Sequence, residues 1–449
     1  MVMVYSIRTL KRIYRILISA IASVCYGFPM RNLKVIGVTG TSGKTTTTTL
    51  IYEMLKNLGF KVGIISTVEA RAGNTVIDTG LHVTTPDPIE LQRIVAKMRK
   101  EKIEYLVCEC SSHSLDQGRL GLTKFDIAVF TNIKRDHLDY HFTWENYARA
   151  KARLILKTKE NGSVVLNGDD ESFNFLAKYI RDHVKNTIKI VSYSKNEVES
   201  IQVKPFVNFI YKGVCFNVPI LGDYNVYNIL AACKVGEILG IDIQSISNSL
   251  LNFTGVLGRM QIMKKDPFIV IVDFAHNADS LEKSLNYVRN NLLVGNGKII
   301  NVFGSAGLRD VEKRYTMGEV SGKLADITIV TAEDPRTESL YAINTAIISG
   351  AEKSGAKLIK RFANSLEFNK EYNDNLKTLA RSSKTIFSFD EENVNSRYDA
   401  IKFAILIAEK NDIVITQGKG HEKSLCFGTV EYPFTDQDAV NKALLQTGN

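Results

Sequence analysis

One stretch near the start of the chain decides its fold: Leu33-Lys-Val-Ile-Gly-Val-Thr39-Gly-Thr-Ser-Gly-Lys-Thr45. The first part, Leu33 to Thr39, is apolar and β-branched, which predicts a buried strand. The second part is rich in glycine, and helical periodicity follows it from Lys44 to Leu58. A strand, a glycine-rich loop and a helix in this order direct backbone N–H groups and the helix dipole at one point. We therefore predict that this loop binds phosphate.

The side chains of the loop agree with that prediction. Lys44 adds a mobile positive charge, and the hydroxyl of Thr45 is of the kind that binds Mg2+ beside a phosphate. The strict phosphate-loop pattern has a glycine where Val38 stands, so an ordinary nucleotide switch or motor is not the best match. A purely structural turn is the other interpretation, and the flanking strand and helix argue against it.

Beyond the loop, short apolar runs alternate with longer helical patterns. The runs are Tyr105 to Cys108, Ile127 to Phe130 and Val164 to Leu166. This alternation is typical of a parallel sheet covered by helices on both faces, so the first large domain is predicted to be α/β. From Ile201 to Ile220 the period changes towards two, which predicts a small antiparallel addition before a helix that begins near Asn225.

A boundary is predicted near Gly255 to Arg259, and strands and helices alternate again after it. The later strands are predicted at Ile269 to Asp273, Ile299 to Phe303, Ile327 to Thr331 and Ile413 to Thr416. The resulting domains are an N-terminal helix and linker (1–32), a central doubly wound parallel-sheet domain that contains the phosphate loop (33–256), and a smaller Rossmann-like α/β domain (257–449). Such a chain falls in the α/β class.

Composition narrows the function classes. With 449 residues, 45% hydrophobic and 23% charged, the chain is a globular protein with more than one core. The net charge of +9 is spread along the sequence, and no nucleic-acid-binding motif accompanies it, so an anionic small substrate explains it better than nucleic acid. Six cysteines without C-x-x-C pairs or regular spacing predict free thiols in a reducing, cytoplasmic compartment.

The N-terminal segment has basic residues and an apolar run, as a signal peptide has, but its spacing predicts an amphipathic helix. One side carries Arg8, Lys11, Arg12, Arg15, Ser19 and Ser23, and the opposite side carries Leu10, Ile13, Leu17, Ile21 and Val24. Two interpretations stay open: peripheral membrane contact through the basic face on anionic lipid, and a helix packed on its own protein. No stretch resembles a spanning segment of ~20 apolar residues.

Two further strand ends carry ionisable residues. Glu109 lies in Cys108-Glu-Cys-Ser-Ser-His113, and the next strand ends in Asn132-Ile-Lys-Arg-Asp-His137-Leu-Asp-Tyr-His141. Ligands gather at the carboxyl ends of strands in open α/β sheets. A buried glutamate is costly unless it is paired or bound to metal, and Mg2+ prefers carboxylate, phosphate and water oxygens. Glu109 is therefore predicted to help bind Mg2+, whereas a histidine alone is more often an ordinary hydrogen-bonded residue.

Taken together, these motifs resemble the Mur ligases of peptidoglycan synthesis, and within that family the members that complete the tripeptide. The agreement runs in order from about Leu33 to the C-terminus. It includes Gly222-Asp-Tyr-Asn-Val-Tyr-Asn-Ile-Leu-Ala231, Gly258-Arg-Met-Gln261, Val272-Asp-Phe-Ala-His276, Asp334-Pro-Arg336 and Gly418-Lys-Gly-His-Glu422. The resemblance implies an ATP-dependent ligase that activates a carboxylate of a muramoyl-peptide precursor as an acyl phosphate and joins a free amino acid to it.

The resemblance also implies site residues, with ATP and Mg2+ as the cofactors. The catalytic residues are Lys44, Glu109, His137 and Lys151. The metal residues are Thr45, Glu109, His137 and Lys151, the last as a carbamate. The ATP-binding residues are Gly40, Thr41, Gly43, Lys44, Thr45, Thr46, Asn225, Asn228, Arg259, Asp273 and His276. Among them the resemblance assigns Asn225 and Asn228 to the adenine pocket, Arg259 to an ATP phosphate, and Asp273 and His276 to a nucleotide cleft between the domains. The precursor-binding residues are Thr84, Thr85, Ser111 and Arg119. By spacing alone, Lys151 reads as a solvated helix lysine.

A pocket for the incoming amino acid is implied as well. Its residues are Arg309, Asp334, Arg336, Gly418 and Glu422. Arginine can hold a carboxylate in two hydrogen bonds, and Glu422 can accept an ammonium group. The family pattern for diaminopimelate usually reads Asp-Asn-Pro-Arg, whereas this chain has Glu333-Asp-Pro-Arg336. Arg336 favours a distal carboxylate and the extra acid at Asp334 tolerates a distal amine, so diaminopimelate and lysine both stay open.

One departure from the family leaves alternatives. Only about thirty residues precede Leu33, so we expect the uridine-nucleotide domain of the family to be absent. A folylpolyglutamate-synthetase-like ligase also lacks that domain, but Ser111-Ser-His113 and Asp334-Pro-Arg336 speak against it. A catalytically inactive nucleotide-binding subunit is the other alternative. The presence of Lys44, Glu109, His137 and Lys151 favours the enzyme.

Overall fold

The computed structural model describes residues 2–73, 75–77, 85–184, 187–382 and 384–447. The predicted substrate residue Thr84 lies outside these ranges. The chain divides into two compact units, residues 1–254 and 255–449. Each unit is an α/β structure built on a mainly parallel sheet, which confirms the predicted fold class.

The first unit contains these helices and strands. The helices are α1 (Val2–Cys25), α2 (Lys44–Asn57), α3 (Pro88–Met98), α4 (Ser112–Gln117), α5 (Leu138–His141), α6 (Trp144–Leu156), α7 (Phe173–His183), α8 (Asn225–Ile238) and α9 (Ile243–Leu250). The strands are β1 (Lys34–Thr39), β2 (Val62–Ile65), β3 (Ala70–Ala72), β4 (Thr75–Ile77), β5 (Tyr105–Glu109), β6 (Phe125–Phe130), β7 (Thr158–Asn167), β8 (Lys189–Tyr193), β9 (Val198–Gln202), β10 (Val207–Tyr211) and β11 (Val214–Val218).

The main sheet of this unit has the order β4-β3-β2-β5-β1-β6-β7-β8, in which the six strands from β2 to β8 are parallel. One face packs on α3, α6 and α7, and α2 and α8 also contact the sheet, with α9 packed against α2 and α8. From β1 the chain runs to β2 and then to β5 on one side of β1, and it later continues to β6 on the other side. The direction of winding therefore changes at β1. The loops after β1, β5 and β6 meet at this switch point, where open α/β sheets bind ligands.

The predicted antiparallel addition forms β9, β10 and β11, a separate three-stranded sheet in the order β11-β10-β9. Alternating side chains of β10 are buried, as the period of two indicates. Ser247 on α9 donates a hydrogen bond to the carbonyl of Cys215 at 2.7 Å, which attaches α9 to β11. The addition lies next to the helices α8 and α9 rather than in the main sheet.

The N-terminal helix α1 packs on its own protein, against α3 and α4. Its packed side is the polar one, because Ser19 and Ser23 are buried and Arg15 donates to the side-chain oxygen of Gln117 at 2.7 Å. A Cβ atom on Gly121 would lie 1.7 Å from the hydroxyl of Ser19, so the helix sits directly on this glycine. Among the described residues, no helix has the length and apolarity that crossing a bilayer requires.

The second unit contains these helices and strands. The helices are α10 (Ala278–Tyr287), α11 (Glu312–Leu324), α12 (Leu340–Lys353), α13 (Ser365–Glu371), α14 (Asp374–Ala380), α15 (Asn395–Ile407) and α16 (Asp436–Thr447). The strands are β12 (Gln261–Lys264), β13 (Ile269–Val272), β14 (Ile299–Phe303), β15 (Ile327–Val330), β16 (Lys357–Phe362), β17 (Thr385–Phe389), β18 (Ile413–Thr416), β19 (Ser424–Phe427) and β20 (Val430–Pro433).

Seven of these strands form one sheet in the order β12-β13-β18-β14-β15-β17-β16, parallel except for β12. The predicted strands at residues 269, 299, 327 and 413 are all present. Arg397 on α15 is fully buried and forms two 2.7 Å hydrogen bonds with Asp436, which fixes the start of α16. A buried arginine needs such a paired carboxylate, because an isolated charge in the core is costly.

Candidate active site

The glycine-rich loop between β1 and α2 is tightly shaped. Gly43, the residue before α2, has φ of 81°, and no described side chain caps the helix start. A Cβ atom on Gly43 would lie 2.4 Å from the amide oxygen of Asn228, and one on Gly40 would lie 1.8 Å from the hydroxyl of Thr131. Only glycine fits at these two positions. The start of α2 therefore directs backbone N–H groups and the helix dipole at the loop, as phosphate binding requires.

The end of β6 holds the loop in place. The side-chain oxygen of Asn132 accepts from the backbone N–H of Ser42 at 2.9 Å, and its amide nitrogen donates to the carbonyl of Ser42 at 3.0 Å. Thr131 also donates to this carbonyl, at 2.6 Å. Asn132 is part of the motif that ends in His141, but no role is predicted for it from the sequence. Its position directly after a buried strand, facing another strand end, was the available signal.

Glu109 and Thr45 meet at the mouth of the loop. The Thr45 hydroxyl donates to Oε2 of Glu109 at 3.0 Å, and the backbone N–H of Thr67 donates to the same oxygen at 3.0 Å. Glu109 is almost fully buried, and Lys44 turns back to donate to the carbonyl of Thr41 at 2.8 Å. The sequence prediction that the loop and the end of β5 lie together agrees with this geometry.

These donors fit Mg2+ bound with a nucleotide. Mg2+ takes hard oxygen ligands and keeps several waters or phosphate oxygens, so one carboxylate and one hydroxyl suffice from the protein. Among the described residues no group of three or more histidine, cysteine, aspartate or glutamate side chains could enclose a metal ion. Glu109 and Thr45 would hold a metal ion together with phosphate oxygens of the nucleotide.

Lys151 lies on α6 next to the loop and is only 1% exposed. Its amine donates to the carbonyl of Gly40 at 2.5 Å and lies 4.5 Å from the centre of the Tyr147 ring. No described carboxylate lies within ion-pair distance of it. Burial, and then the charge of Lys44, hold the pKa of Lys151 well below its usual value. The solvated helix lysine that spacing alone suggests is therefore not what the structure contains.

Three histidines gather beside this lysine. The rings of His113 and His137 are 4.9 Å apart, and those of His113 and His141 are 5.5 Å apart. His137 has φ of 52° at the start of α5, an unusual backbone for a residue other than glycine. His141 is buried with Nε2 at 3.2 Å from the Ser112 hydroxyl, and burial lowers its pKa to about 4, so the ring is neutral near pH 7. Sequence reasoning assigned a role to His137 alone.

The described residues predicted for the precursor lie together on the other side of Glu109. The hydroxyl of Thr85 donates to the carbonyl of Glu109 at 3.1 Å, and Arg119 donates to the carbonyl of Thr85 at 3.1 Å. The hydroxyl of Ser111 caps α4 by accepting from the N–H of Ser114 at 3.1 Å. Thr85, Ser111 and Arg119 therefore form one group with Glu109, and their role in substrate binding stays a prediction.

The two asparagines predicted for the adenine lie on α8 below the loop. Asn228 donates to the side-chain oxygen of Asn225 at 2.6 Å, and Thr47 on α2 donates to Asn228 at 3.1 Å. Thr46 is buried at the start of α2. Because Asn228 also contacts Gly43, these hydrogen bonds support the loop from beneath. The adenine role of both asparagines remains a prediction.

The nucleotide residues predicted in the second unit surround Phe274. The guanidinium carbon of Arg259 lies 4.0 Å from the centre of that ring, and the His276 ring lies 4.7 Å from it. Asp273, which follows β13, accepts from the N–H of Met260 at 3.1 Å. Burial raises the pKa of Asp273. The predicted residues of this unit thus share one strand end.

The predicted amino-acid pocket is organised by a buried lysine. Lys419 contacts Asp334 at 2.8 Å and Glu422 at 2.5 Å, and the N–H of Cys426 also donates to Asp334 at 2.9 Å. Burial opposes the charge of Lys419, but the two carboxylates raise its pKa above the usual value. Arg336 adopts φ of 56° on the same loop. Arg309 is exposed on the loop that follows β14.

Glu333 belongs to this pocket but was not assigned a role from the sequence. Its side chain lies 3.1 Å from the position of a Cβ on Gly418, which itself has φ of 102°. Oε2 of Glu333 is buried without a hydrogen-bond partner among the described residues. Burial raises the pKa of Glu333 to about 7, with nearby Lys313 acting in the opposite direction. The burial of Glu333 next to Lys419 is visible in the structure, and the sequence pattern does not predict it.

Comparison with known proteins gives the same family as the motifs. The family model for the Mur ligase middle domain matches residues 38–236, and the model for the Mur ligase, glutamate ligase domain, matches residues 258–420. A curated relative from Geobacter metallireducens, UDP-N-acetylmuramoyl-L-alanyl-D-glutamate--2,6-diaminopimelate ligase, is 34% identical over 96% of this chain and 82% of its own length.

Solved structures show the same fold. A UDP-N-acetylmuramoyl-L-alanyl-D-glutamate--2,6-diaminopimelate ligase aligns with a TM-score of 0.59 and 28% identity over 93% of this chain and 80% of its own. E. coli FolC, in complex with DHPP and ADP, aligns with a TM-score of 0.63 over 90% of each chain. At 18% identity, this second likeness concerns the fold alone.

The two family models and the 34% identical relative show that the chain belongs to the Mur ligase family. It is accordingly an ATP-dependent acid–amino-acid ligase of peptidoglycan synthesis, and the family uses Mg2+.

Proposed function

We propose that this enzyme joins a diamino acid of the diaminopimelate kind to a carboxylate of a muramoyl-peptide precursor, with ATP converted to ADP and phosphate. The observation that carries the proposal is the joint position of Lys44, Thr45, Glu109 and Lys151 around one loop. The names of the similar ligases support the choice of substrates.

The first half of the reaction transfers a phosphoryl group. A carboxylate oxygen of the precursor attacks the γ-phosphorus of ATP, the bond to the bridging oxygen breaks, and ADP leaves with an acyl phosphate remaining. Lys44 and the N–H groups of the loop offset the charge on the phosphates, and bound Mg2+ would supply further charge neutralisation beside Glu109 and Thr45. Arg119 and Thr85 would orient the precursor, because they lie next to Glu109.

The second half forms the amide bond. The free amine of the amino acid attacks the acyl carbon, phosphate leaves, and the nitrogen loses a proton. An acyl phosphate is hydrolysed by water, so the site must bring the amine in promptly and exclude solvent. The buried and paired groups around Lys419 supply a preorganised wall for that amino acid, since they need no rearrangement when it binds.

Lys151 is proposed to act as a carbamate. A neutral lysine amine can add carbon dioxide and lose one proton. The product is a carbamate, whose anionic oxygens can bind a metal ion. Lys151 fits this chemistry because it is buried, has no described carboxylate partner and has a lowered pKa. A charged ammonium at that place would repel Mg2+. The carbamate oxygens would lie near the metal residues, as the family motif implies.

The pocket in the second unit favours diaminopimelate over lysine. The sequence left both open because Asp334 adds a negative charge that tolerates a distal amine. In the structure that charge is already paired with Lys419 and with the N–H of Cys426, so it is not available to a substrate ammonium. Arg336 can still hold a distal carboxylate in two hydrogen bonds, and diaminopimelate has one whereas lysine does not.

The reaction is proposed to take place in the cytoplasm, where ATP is available. All six cysteines are free, which fits a reducing compartment.

The test is phosphate release from ATP and Mg2+ with a UDP-linked muramoyl dipeptide as the precursor and a panel of amino acids. We expect release only when the precursor and an amino acid are both present, with diaminopimelate at least tenfold better than lysine in kcat/KM, roughly the value of one good charged contact. Lys44→Ala serves as the inactive control. Turnover with a pteroate and glutamate instead would favour the folylpolyglutamate-type ligase, and no turnover with any pair would favour a nucleotide-binding subunit.

A further inference from the structure

Helix α1 buries its polar side and exposes its apolar side, which is the reverse of an ordinary surface helix. Its buried residues are small or polar, namely Ser19, Ala22 and Ser23. Its apolar residues point away from the protein and are between 48% and 66% exposed: Leu10, Ile13, Tyr14, Leu17, Ile21 and Val24. We call this set the outer stripe. A surface helix normally buries such a stripe in its own core, and an exposed apolar stripe of this size is typical of a contact surface.

The outer stripe is continued by the turn that follows the helix. Tyr26 and Phe28 are exposed as well, directly after α1. Apolar residues recur at residues 10, 14, 17, 21 and 24, and Ile13 widens the stripe to one side. The exposed apolar surface is therefore contiguous over about four turns rather than made of scattered single residues.

Within residues 1–34, which form α1 and the segment after it, all charged side chains are basic. Glu53 is the first acidic residue of the whole chain, whereas six basic residues occur in residues 1–34. Lys11 borders the stripe and is exposed, and so is Arg31 after the helix. Arg99, in the turn after α3, donates to the carbonyl of Arg31 at 3.5 Å and adds a further cation there. The occupant of the stripe must accept both apolar and basic side chains.

From this surface we infer that α1 lies on an anionic lipid membrane, with the outer stripe among the acyl chains and Lys11 and Arg31 at the headgroups. Long basic side chains can reach the headgroups while their stems stay on apolar surface. The helix lies along the membrane and does not span it, because its apolar residues occupy one side only and polar residues occupy the other. The polar face stays on the protein through Arg15 and Gln117, so the unit behind it is held at the membrane surface.

A second copy of the chain fits this surface less well. In a helix pair that interlocks along residues 10, 14, 17, 21 and 24, the flanking positions usually carry paired charges of both signs. Here the flanking positions hold Lys11, Ile13, Ile18 and Ala20 and no acid. Two such helices would place cations near each other without a counter-charge, whereas an anionic lipid surface supplies that counter-charge.

The test is sedimentation of the full-length protein with vesicles of phosphatidylglycerol mixed with phosphatidylcholine, and with vesicles of phosphatidylcholine alone. The variant is Leu17→Glu combined with Ile21→Glu, both at exposed sites that folding does not bury. The matched control is Leu366→Glu combined with Leu445→Glu, two exposed leucines of the second unit with the same change of charge. Phosphate release from the soluble precursor checks that every variant is folded.

We expect the unaltered protein and the control to bind the phosphatidylglycerol vesicles about tenfold better than phosphatidylcholine alone, and the helix variant to lose binding by at least about tenfold. Phosphate release should not change, so failure of this inference is distinct from failure of the proposed reaction. Absence of vesicle binding by the unaltered protein would overturn the inference, and so would equal loss in variant and control. A lipid-free dimer that the helix variant dissociates would assign the stripe to a second copy instead.

Discussion

Two lysines of this protein are buried to the same degree, but their pKa values are shifted in opposite directions. Lys151 in the first unit has a carbonyl and an aromatic ring as neighbours, and burial lowers its pKa. Lys419 in the second unit has the carboxylates of Asp334 and Glu422, and its pKa is raised. Burial alone therefore does not decide the state of a lysine. The presence or absence of a paired carboxylate does.

The opposite pKa shifts suit the two lysines to different roles. A neutral amine is a nucleophile that can capture carbon dioxide, so Lys151 suits a chemical role. A paired ammonium is a fixed counter-charge, so Lys419 suits the shaping of a loop that carries Arg336. The same substitution at the two sites should therefore damage different properties of the enzyme.

The largest expected effect is on turnover at Lys151. Lys151→Ala should reduce phosphate release by about a thousandfold or more, because the anionic oxygen ligand for Mg2+ is lost. Small carboxylic acids such as acetate added to the solution should restore part of the activity, since they supply such an oxygen. Steady-state phosphate release with and without acetate measures both.

Carbon-13 NMR in labelled bicarbonate provides the control for that result. The unaltered enzyme and Lys419→Met should show a carbamate signal, and Lys151→Ala should not. Near-normal turnover of Lys151→Ala would contradict the proposal, as would a carbamate signal that survives the substitution.

The second effect is on stability at Lys419. Lys419→Met leaves Asp334 and Glu422 without their buried cation, so the free energy of unfolding should fall by about 3 kcal/mol. Lys151→Met removes an amine that has no ion-pair partner among the described residues, and it should change the free energy of unfolding by less than about 1 kcal/mol. Urea unfolding followed by circular dichroism compares the two variants. Equal losses at both sites would show that the two lysines do not differ as described.

A smaller effect concerns the pH dependence of stability at Glu333. Its pKa is raised from 4.5 to about 7 in the folded protein, so its contribution is fully present below the unfolded pKa and is lost as the pH rises through about 7. Glu333→Gln does not titrate. The variant should therefore gain stability relative to the unaltered protein between about pH 5 and pH 8. Parallel urea curves at those two pH values test this, and a constant difference would argue against the raised pKa.

Much of the fold was predictable, because hydrophobic periodicity and glycine placement act locally. The strands at residues 299–303 and 413–416 were predicted with the bounds that the structure has. β7 was predicted only at Val164 to Leu166 but begins at Thr158, because its first residues are polar and give no apolar signal. The direction of α1 was left open, since a helix pattern shows that two faces differ but not which one meets the protein.

The site was predictable to the extent that strand ends carry motifs. Glu109 and Thr45 were expected together, because parallel strands bring their carboxyl ends to one edge. The burial of Lys151 was not, since its neighbours along the helix are Arg149 and Arg153 and suggest a solvated face. The pairing of Asp334 with Lys419 was also hidden, because it joins residues 85 positions apart. Such contacts depend on tertiary packing rather than on local pattern.

The most direct test of the proposed reaction follows one oxygen atom. The precursor is prepared with oxygen-18 in its carboxylate and allowed to react with ATP and diaminopimelate, and the released phosphate is examined by mass spectrometry. If the carboxylate is activated as an acyl phosphate, one labelled oxygen passes to each phosphate released, because attack by the amine breaks the bond between the acyl carbon and that oxygen. Phosphate released without the label would contradict the acyl-phosphate step and with it the proposed ligase mechanism.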